Sequence, residues 1–237
     1  MAFAMQQNKI FILSTRPIDD PLINEAKHQN IEIDILSFIE TVPIRSIEVQ
    51  QEIENALLKS SAVVFTSMNA VEAVANELDG HQPDWRIYSM GNTTRQLVKK
   101  YFGEEAIAGT AESAAELAEL IVEEDNSDDI FFFCGEQRRD ELPDILRSND
   151  IDVNEIVVYQ TIQVKHKIEK TYHGILFFSP SAVQSFFSNN KISDKTILFA
   201  IGNTTATEIK KYANNKIITG DEPSKENLVM EMIRYYT

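Results

Sequence analysis

The sequence predicts an α/β fold built twice, as two copies of one parallel-sheet unit within 237 residues. Three observations carry this. Short apolar runs alternate with amphipathic stretches along the chain, the pattern of a parallel sheet with helices on both faces. The stretch Met90-Gly-Asn-Thr-Thr-Arg-Gln-Leu-Val-Lys-Lys-Tyr101 recurs 111 residues later as Ile201-Gly-Asn-Thr-Thr-Ala-Thr-Glu-Ile-Lys-Lys-Tyr212, with seven positions identical. Neighbouring motifs repeat at almost the same spacing: Phe65-Thr-Ser-Met-Asn-Ala-Val71 against Phe177-Phe-Ser-Pro-Ser-Ala-Val183, and Gly109 against Gly220. A looser match sets Asn30-Ile-Glu-Ile-Asp34 against Asp150-Ile-Asp-Val-Asn154. Self-similarity of this period favours two units of about 110 residues over one large domain.

In chain order, Ile10–Ser14 reads as a buried strand and Pro21–Gln29 as a helix with proline in its first turn. Ile31, Ile33 and Ile35 alternate with acids, a second strand, and Phe38–Pro43 is extended. A helix over Ile47–Lys59 leads to a strand at Ala62–Thr66 and a helix over Ser67–Leu78, whose Asn69 and Glu72 have capping-box spacing. Arg86–Met90 is a strand running into the first Gly-Asn-Thr-Thr. Ser113 and Glu116 form a second capping box, opening a helix to Glu123. The five acids of Glu123–Asp129 read as a solvated turn. A strand to Cys134, a turn at Gly135, a helix over Asp140–Ser148 and a strand through Ile156–Thr161 follow. Then come a strand at Gly174–Phe178, a helix start with Ser181 and Gln184 at capping-box spacing, a strand at Thr196–Ile201, the second Gly-Asn-Thr-Thr and a C-terminal helix.

Composition narrows the function. A formal net charge of −15 argues against a nucleic-acid-binding surface. Cys134 is the only cysteine, so no intramolecular disulfide forms, and the four histidines lack ligand spacing. No metal site is expected. No apolar run approaches the length of a membrane span and the N-terminus has no signal-peptide pattern, so a soluble cytoplasmic protein without a membrane partner is expected. There is no Gly-x-Gly-x-x-Gly, no P-loop and no Ser-His-Asp arrangement.

Ligands of open parallel sheets bind beyond the carboxyl ends of the strands. Here those ends carry Thr66-Ser67, Gly91-Asn-Thr93-Thr94, Ser179-Pro-Ser181 and Gly202-Asn-Thr204-Thr205. Hydroxyls and free N–H groups at four helix starts suit an anion. The plainer reading of any one of them is an N-cap. Arg16, Arg138 and Arg139 lie just past strand ends, where they can fork a carboxylate or form surface pairs. Tyr159 ends an apolar strand, either as a satisfied aromatic or as a site hydroxyl. Cys134 reads as a small buried hydrophobe.

Taken together, Thr15-Arg-Pro17, Phe65-Thr-Ser-x-Asn-Ala-Val71, Gly135 with Arg139 and Leu142, Val158-Tyr-Gln-Thr161, Phe178-Ser-Pro-Ser-Ala-Val183 and Gly202-x-Thr-Thr-Ala206 resemble the uroporphyrinogen-III synthase family over nearly the whole chain. The sequence departs from it at Cys134, where members often carry arginine before the glycine. The resemblance implies two flavodoxin-like lobes joined by a two-stranded linker. The first would be discontinuous, 1–39 with 164–237, and the second 42–160, with linkers at 38–42 and 160–164. It implies a lyase of heme biosynthesis that uses no cofactor and acts as a monomer. Hydroxymethylbilane, a linear tetrapyrrole with eight carboxylates, would be cyclised to uroporphyrinogen III with loss of water and inversion of ring D. Asn69 and Ala182, inside the matching motifs, join the substrate-binding rim, and Tyr159 matches the family's cleft tyrosine, a hydrogen-bond or proton donor to the departing hydroxyl. The competing readings are a non-enzymatic two-lobed binding protein for a polyanionic metabolite, a receiver-like signalling module and a flavin binder.

Overall fold

The computed structural model describes residues 9–59, 61–124, 130–220 and 222–237. The acidic residues 125–129 and the N-terminal residues 1–8 lie outside the described residues. The chain opens with β1 (Ile10–Ser14), α1 (Asp20–His28), β2 (Ile31–Ile35) and β3 (Ile39–Pro43). It continues through α2 (Ile47–Leu57), β4 (Ala62–Phe65), α3 (Met68–Glu77), β5 (Arg86–Met90), α4 (Asn92–Phe102), β6 (Ile107–Ala111), α5 (Ala114–Glu124), β7 (Ile130–Gly135), α6 (Glu141–Ser148) and β8 (Val153–Gln163). It closes with β9 (Gly174–Phe177), α7 (Pro180–Asn189), β10 (Ile197–Ala200), α8 (Asn203–Ile209), β11 (Ile217–Thr219) and α9 (Lys225–Tyr236).

The chain divides into two compact units, residues 1–40 with 162–237 (unit 1) and residues 41–161 (unit 2). Unit 1 holds a five-stranded sheet in the order β11-β10-β9-β1-β2, with parallel pairings throughout. Its strands follow the flavodoxin-like order. The other sheet runs β3-β8-β7-β4-β5-β6, and its β8-β7-β4-β5-β6 pairings are parallel. The sequence repeat equates β4, β5 and β6 with β9, β10 and β11, and β7 and β8 with β1 and β2. The two sheets therefore share one spatial order of equivalent strands. The chain enters that order at different points: the β1–β2 pair comes first in unit 1, whereas β7–β8 comes last in unit 2. Asn30 and Asp150, matched by the looser repeat, both adopt left-handed backbone, with φ of 61° and 59°.

Each sheet is buried on both faces, which is why its strands read as apolar runs. In β4, Val63 and Phe65 face a core built with α2, α3 and α4 that contains Phe131, Phe133 and Trp85. Ala62 and Val64 face the opposite core, built with α5 and α6 around Phe132 and Leu117. In unit 1, α1 and α9 cover one face and α7 and α8 the other. Phe133 is fully buried, stacked on Phe65 at 5.5 Å and tilted against Trp85 at 5.7 Å between ring centroids.

Two expectations are corrected. Strands β6 and β11 are absent from the sequence reading. Both are edge strands, half-exposed and short, so neither leaves a continuous apolar run. The caps of α3 and α7 are Ser67 and Ser179, with Oγ accepting from the N–H of Asn69 and of Ala182, not Asn69 and Ser181. A single residue separates each strand from its cap, so each helix begins two residues earlier than the capping-box spacing suggests. The Ser113–Glu116 box is formed as read, each side chain accepting from the other residue's backbone N–H.

Phe133→Ala should lower the free energy of unfolding by about 3–5 kcal/mol. Denaturant titration checks this, and a loss below about 1 kcal/mol would show that the ring stack contributes little.

Candidate active site

In unit 2, β4 returns through α3 on one face of the sheet and β7 leaves through α6 on the other. The strand order reverses between these two neighbours, and a crevice opens beyond their carboxyl ends. It forms a cleft of about 480 Å³. Thr66 and Ser67 enter it from β4, Met90 from β5, Glu112 and Ser113 from β6, and Gly135, Gln137, Arg138 and Arg139 from β7. Tyr159 enters from β8, and Phe132, Leu142 and Ala114 supply apolar wall.

Tyr159 reaches this cleft through an irregularity that sequence alternation does not announce. Along the β7–β8 pairing, Cys134 lies opposite Val157 and Gly135 opposite Tyr159, a shift of one residue. Val158 and Tyr159 consequently pack on the same face of the sheet, against the α3 layer, although they are consecutive. A bulge of this kind re-aims a side chain. The Tyr159 ring then lies directly over Gly135, where a Cβ would stand 2.4 Å from the ring. Glycine is required there by the ring, not by the backbone. Tyr159 O–H donates to Ser67 Oγ at 3.0 Å, closing a contact between β8 and the start of α3.

The two adjacent arginines differ in availability. Arg138 pairs with Asp140 and Glu155, and Glu155 also takes Arg147. Arg139 is exposed and forms no ion pair with the described residues. Glu112 and Glu141 bring negative charge to the same cleft, so its character is mixed rather than uniformly basic. Cys134 is 1% exposed and its Sγ contacts the Ile156 carbonyl. Burial pushes its pKa up to about 11, against a smaller opposing pull from Arg138. It is a protonated core thiol, and the position offers no cation.

The remaining expected residues fall elsewhere. Asn69 lies exposed in the first turn of α3, its N–H spent on Ser67. Gly91 caps α4 with φ of 75°, a left-handed turn that favours glycine, and no side chain caps that helix. Gly202 caps α8 in extended backbone, so identical motifs close differently. Thr94 and Thr205 are buried, which corrects the expectation that both threonines of each pair face a ligand, and Thr93 and Thr204 remain exposed. Arg16, Ser179, Ser181, Ala182, Gly202, Thr204 and Thr205 belong to unit 1. Arg16 is exposed, whereas Ala182 is buried with its N–H committed to Ser179. Sequence reading missed Glu112, Ser113, Gln137 and Glu141 as cleft residues. Without β6, the Ser113 box could not be placed at the edge of the sheet where the other helix starts gather. A recess of about 440 Å³ in unit 1 lies beside Phe187 and Tyr212, but its Asn190 and Asn215 amides are already donated to backbone carbonyls.

Fold and cleft together define a duplicated parallel α/β protein with a polar crevice at the switch point of its second sheet. The family model described as uroporphyrinogen-III synthase HemD matches residues 20–230. The chain belongs to the uroporphyrinogen-III synthase family. The uroporphyrinogen-III synthase of Saccharomyces cerevisiae is 25% identical over 244 residues, covering 86% of this chain and 80% of the yeast one. The uroporphyrinogen-III synthetase structure from Helicobacter pylori matches 96% of this chain and all of its own, with a TM-score of 0.66 at 17% identity. A mutant Thermus thermophilus uroporphyrinogen III synthase structure has a TM-score of 0.57 at 9% identity, covering 96% of this chain and 98% of its own. Among the described residues no helix is long and apolar enough to cross a membrane.

Gly135→Ala should force the Tyr159 ring off its seat and cut turnover roughly a hundredfold, the scale of an ångström-sized misplacement. Steady-state assay of the folded variant checks it, and wild-type turnover would show that the ring's position is immaterial. At pH 8 a thiol reagent should label Cys134 roughly a hundredfold more slowly in the native protein than in denaturant, following its thiolate fraction. Equal rates would mean the thiol is accessible and ionised.

Proposed function

We propose that this protein cyclises hydroxymethylbilane to uroporphyrinogen III, with loss of water and inversion of ring D, and that the unit 2 cleft holds the reacting end of the substrate. Family membership supports the reaction. The observation that supports the cleft is its convergence of hydrogen-bond donors, Ser67 beside Tyr159, with Arg139, which has no ion pair among the described residues, at one strand-end edge.

The chemistry suits such a site. The substrate carries carboxylates on every ring, and Arg139 can take one in a forked pair. Uncapped N–H groups at the start of α4 and exposed Thr93 can take others. The hard part of the reaction is geometric: a linear bilane must close in the arrangement that inverts its last ring. Holding reacting carbons in one near-attack arrangement lowers a barrier without a strong acid or base. Tyr159 and Ser67 then supply a hydrogen bond where the hydroxyl departs. In unit 1, Arg16, Thr204, Ser179 and Ser181 are proposed to contact further carboxylates.

The test supplies hydroxymethylbilane, oxidises the products and separates isomers I and III. Isomer III in excess is expected, and isomer I alone at the spontaneous rate would overturn the proposal. Arg139→Ala should raise KM by roughly three- to tenfold with kcat little changed, the pattern of a lost binding contact. A fall in kcat at constant KM would instead assign Arg139 to the chemical step.

A further inference from the structure

A serine oxygen offers two acceptor positions and one hydrogen. At Ser67 both acceptor positions are occupied: the Asn69 N–H donates from 3.2 Å and the Tyr159 O–H from 3.0 Å. Ser67 has only its own hydrogen left to offer, and it lines the cleft. The Tyr159 hydrogen, by contrast, is committed to Ser67, and the ring cannot easily turn away because it is seated on Gly135. A phenol is also the more acidic of the two hydroxyls, so the order of donation runs from tyrosine to serine. The other candidate donors nearby are engaged or unsuited. Arg138 is held by two carboxylates, Arg139 is assigned above to a substrate carboxylate, Ser113 keeps a hydrogen but accepts only the Glu116 N–H and has no tyrosine behind it, and Cys134 is sealed in the core.

We propose that Ser67 delivers the hydrogen to the departing hydroxyl, and that Tyr159 is the positioning residue behind it, resupplying Ser67. This rests on the cyclisation proposed above. As the carbon–oxygen bond breaks, its electron pair leaves with the oxygen, which takes the Ser67 proton and departs as water. The Tyr159 proton passes to Ser67, leaving a phenolate. To invert ring D, its bridge-bearing carbon attacks first; the bond from that carbon to the bridge then breaks and re-forms at the ring's free carbon, which sheds a proton that returns through Ser67 to Tyr159. One water is lost and no proton is consumed, so the pair ends as it began. The bulge in β8 then has a use: it brings a tyrosine to the start of α3 from a strand whose regular alternation would aim it at the opposite face.

Five variants test this by product-isomer assay: Ser67→Ala, Ser67→Gly, Ser67→Thr, Tyr159→Phe and the double Ser67→Ala/Tyr159→Phe. Glycine is tolerated at an N-cap, so Ser67→Gly removes the hydroxyl while keeping the helix start, and it guards against a folding failure in Ser67→Ala. Both serine variants should lose kcat roughly a hundredfold with KM little changed. Tyr159→Phe should lose less, and the double variant no more than Ser67→Ala alone, because the tyrosine acts only through the serine. Ser67→Thr, which restores a hydroxyl, should recover most of the rate. Wild-type kcat in Ser67→Gly together with a large loss in Tyr159→Phe would overturn the proposal in favour of direct donation by tyrosine. Losses that multiply in the double variant would overturn it in favour of independent roles. If the wild type itself yields only isomer I, the cyclisation reading fails and the relay with it.

Discussion

Strands β4 and β7 have no face turned to water, and this requirement propagates through unit 2. Val63 and Phe65 must meet helices on one side and Ala62 and Val64 on the other, so every strand has to be followed by a helix that returns over the sheet. Parallel strands joined this way all end at the same edge. Thr66, Met90, Glu112 and Gly135, separated widely in sequence, are gathered into one crevice for that reason, and Tyr159 joins them through the bulge in β8. The reversal of direction between β4 and β7 keeps the crevice from being covered by a connection.

Within that crevice, small local differences decide what each residue can do. Arg138 and Arg139 are neighbours, yet Glu155 on β8 reaches only the first, and the second forms no ion pair with the described residues. Thr93 and Thr94 are neighbours as well. A helix begun at Gly91 turns one outward and buries the other, and the second copy of the motif does the same with Thr204 and Thr205. The chain's negative net charge coexists with this because donors are supplied by backbone and hydroxyl groups that carry no formal charge.

Much of the fold is legible in the amino-acid sequence because it rests on long-range repetition and on strands buried twice over. Ile10–Ser14, Ala62–Phe65 and Ile130–Cys134 can hardly be anything but interior strands of a parallel sheet. The edge strands at Ile107 and Ile217 are not legible, since a strand with one open side needs no apolar run. Ser67 and Ser179 are legible as site residues and, on the plainer reading, as N-caps, but capping-box spacing points instead to Asn69 and Ser181, because that spacing ignores how tightly a strand can turn into a helix. Least legible is the approach of Tyr159 to Ser67. It depends on one unpaired position in β8 and on an empty space at Gly135, and neither has a signature in spacing or hydrophobicity.

The different entry points of the two copies have a consequence for biosynthesis. All of unit 2 lies within residues 41–161, so its sheet can be completed as soon as that stretch has left the ribosome. Strand β1, made before any of unit 2, lies between β2 and β9, and β9 begins only at Gly174. The opening 40 residues must therefore wait, with one side of an interior apolar strand unsatisfied, while a whole second unit is synthesised and folds. The segment made before unit 2 finds its place only after it, and its Ile-Phe-Ile-Leu run needs protection until it does.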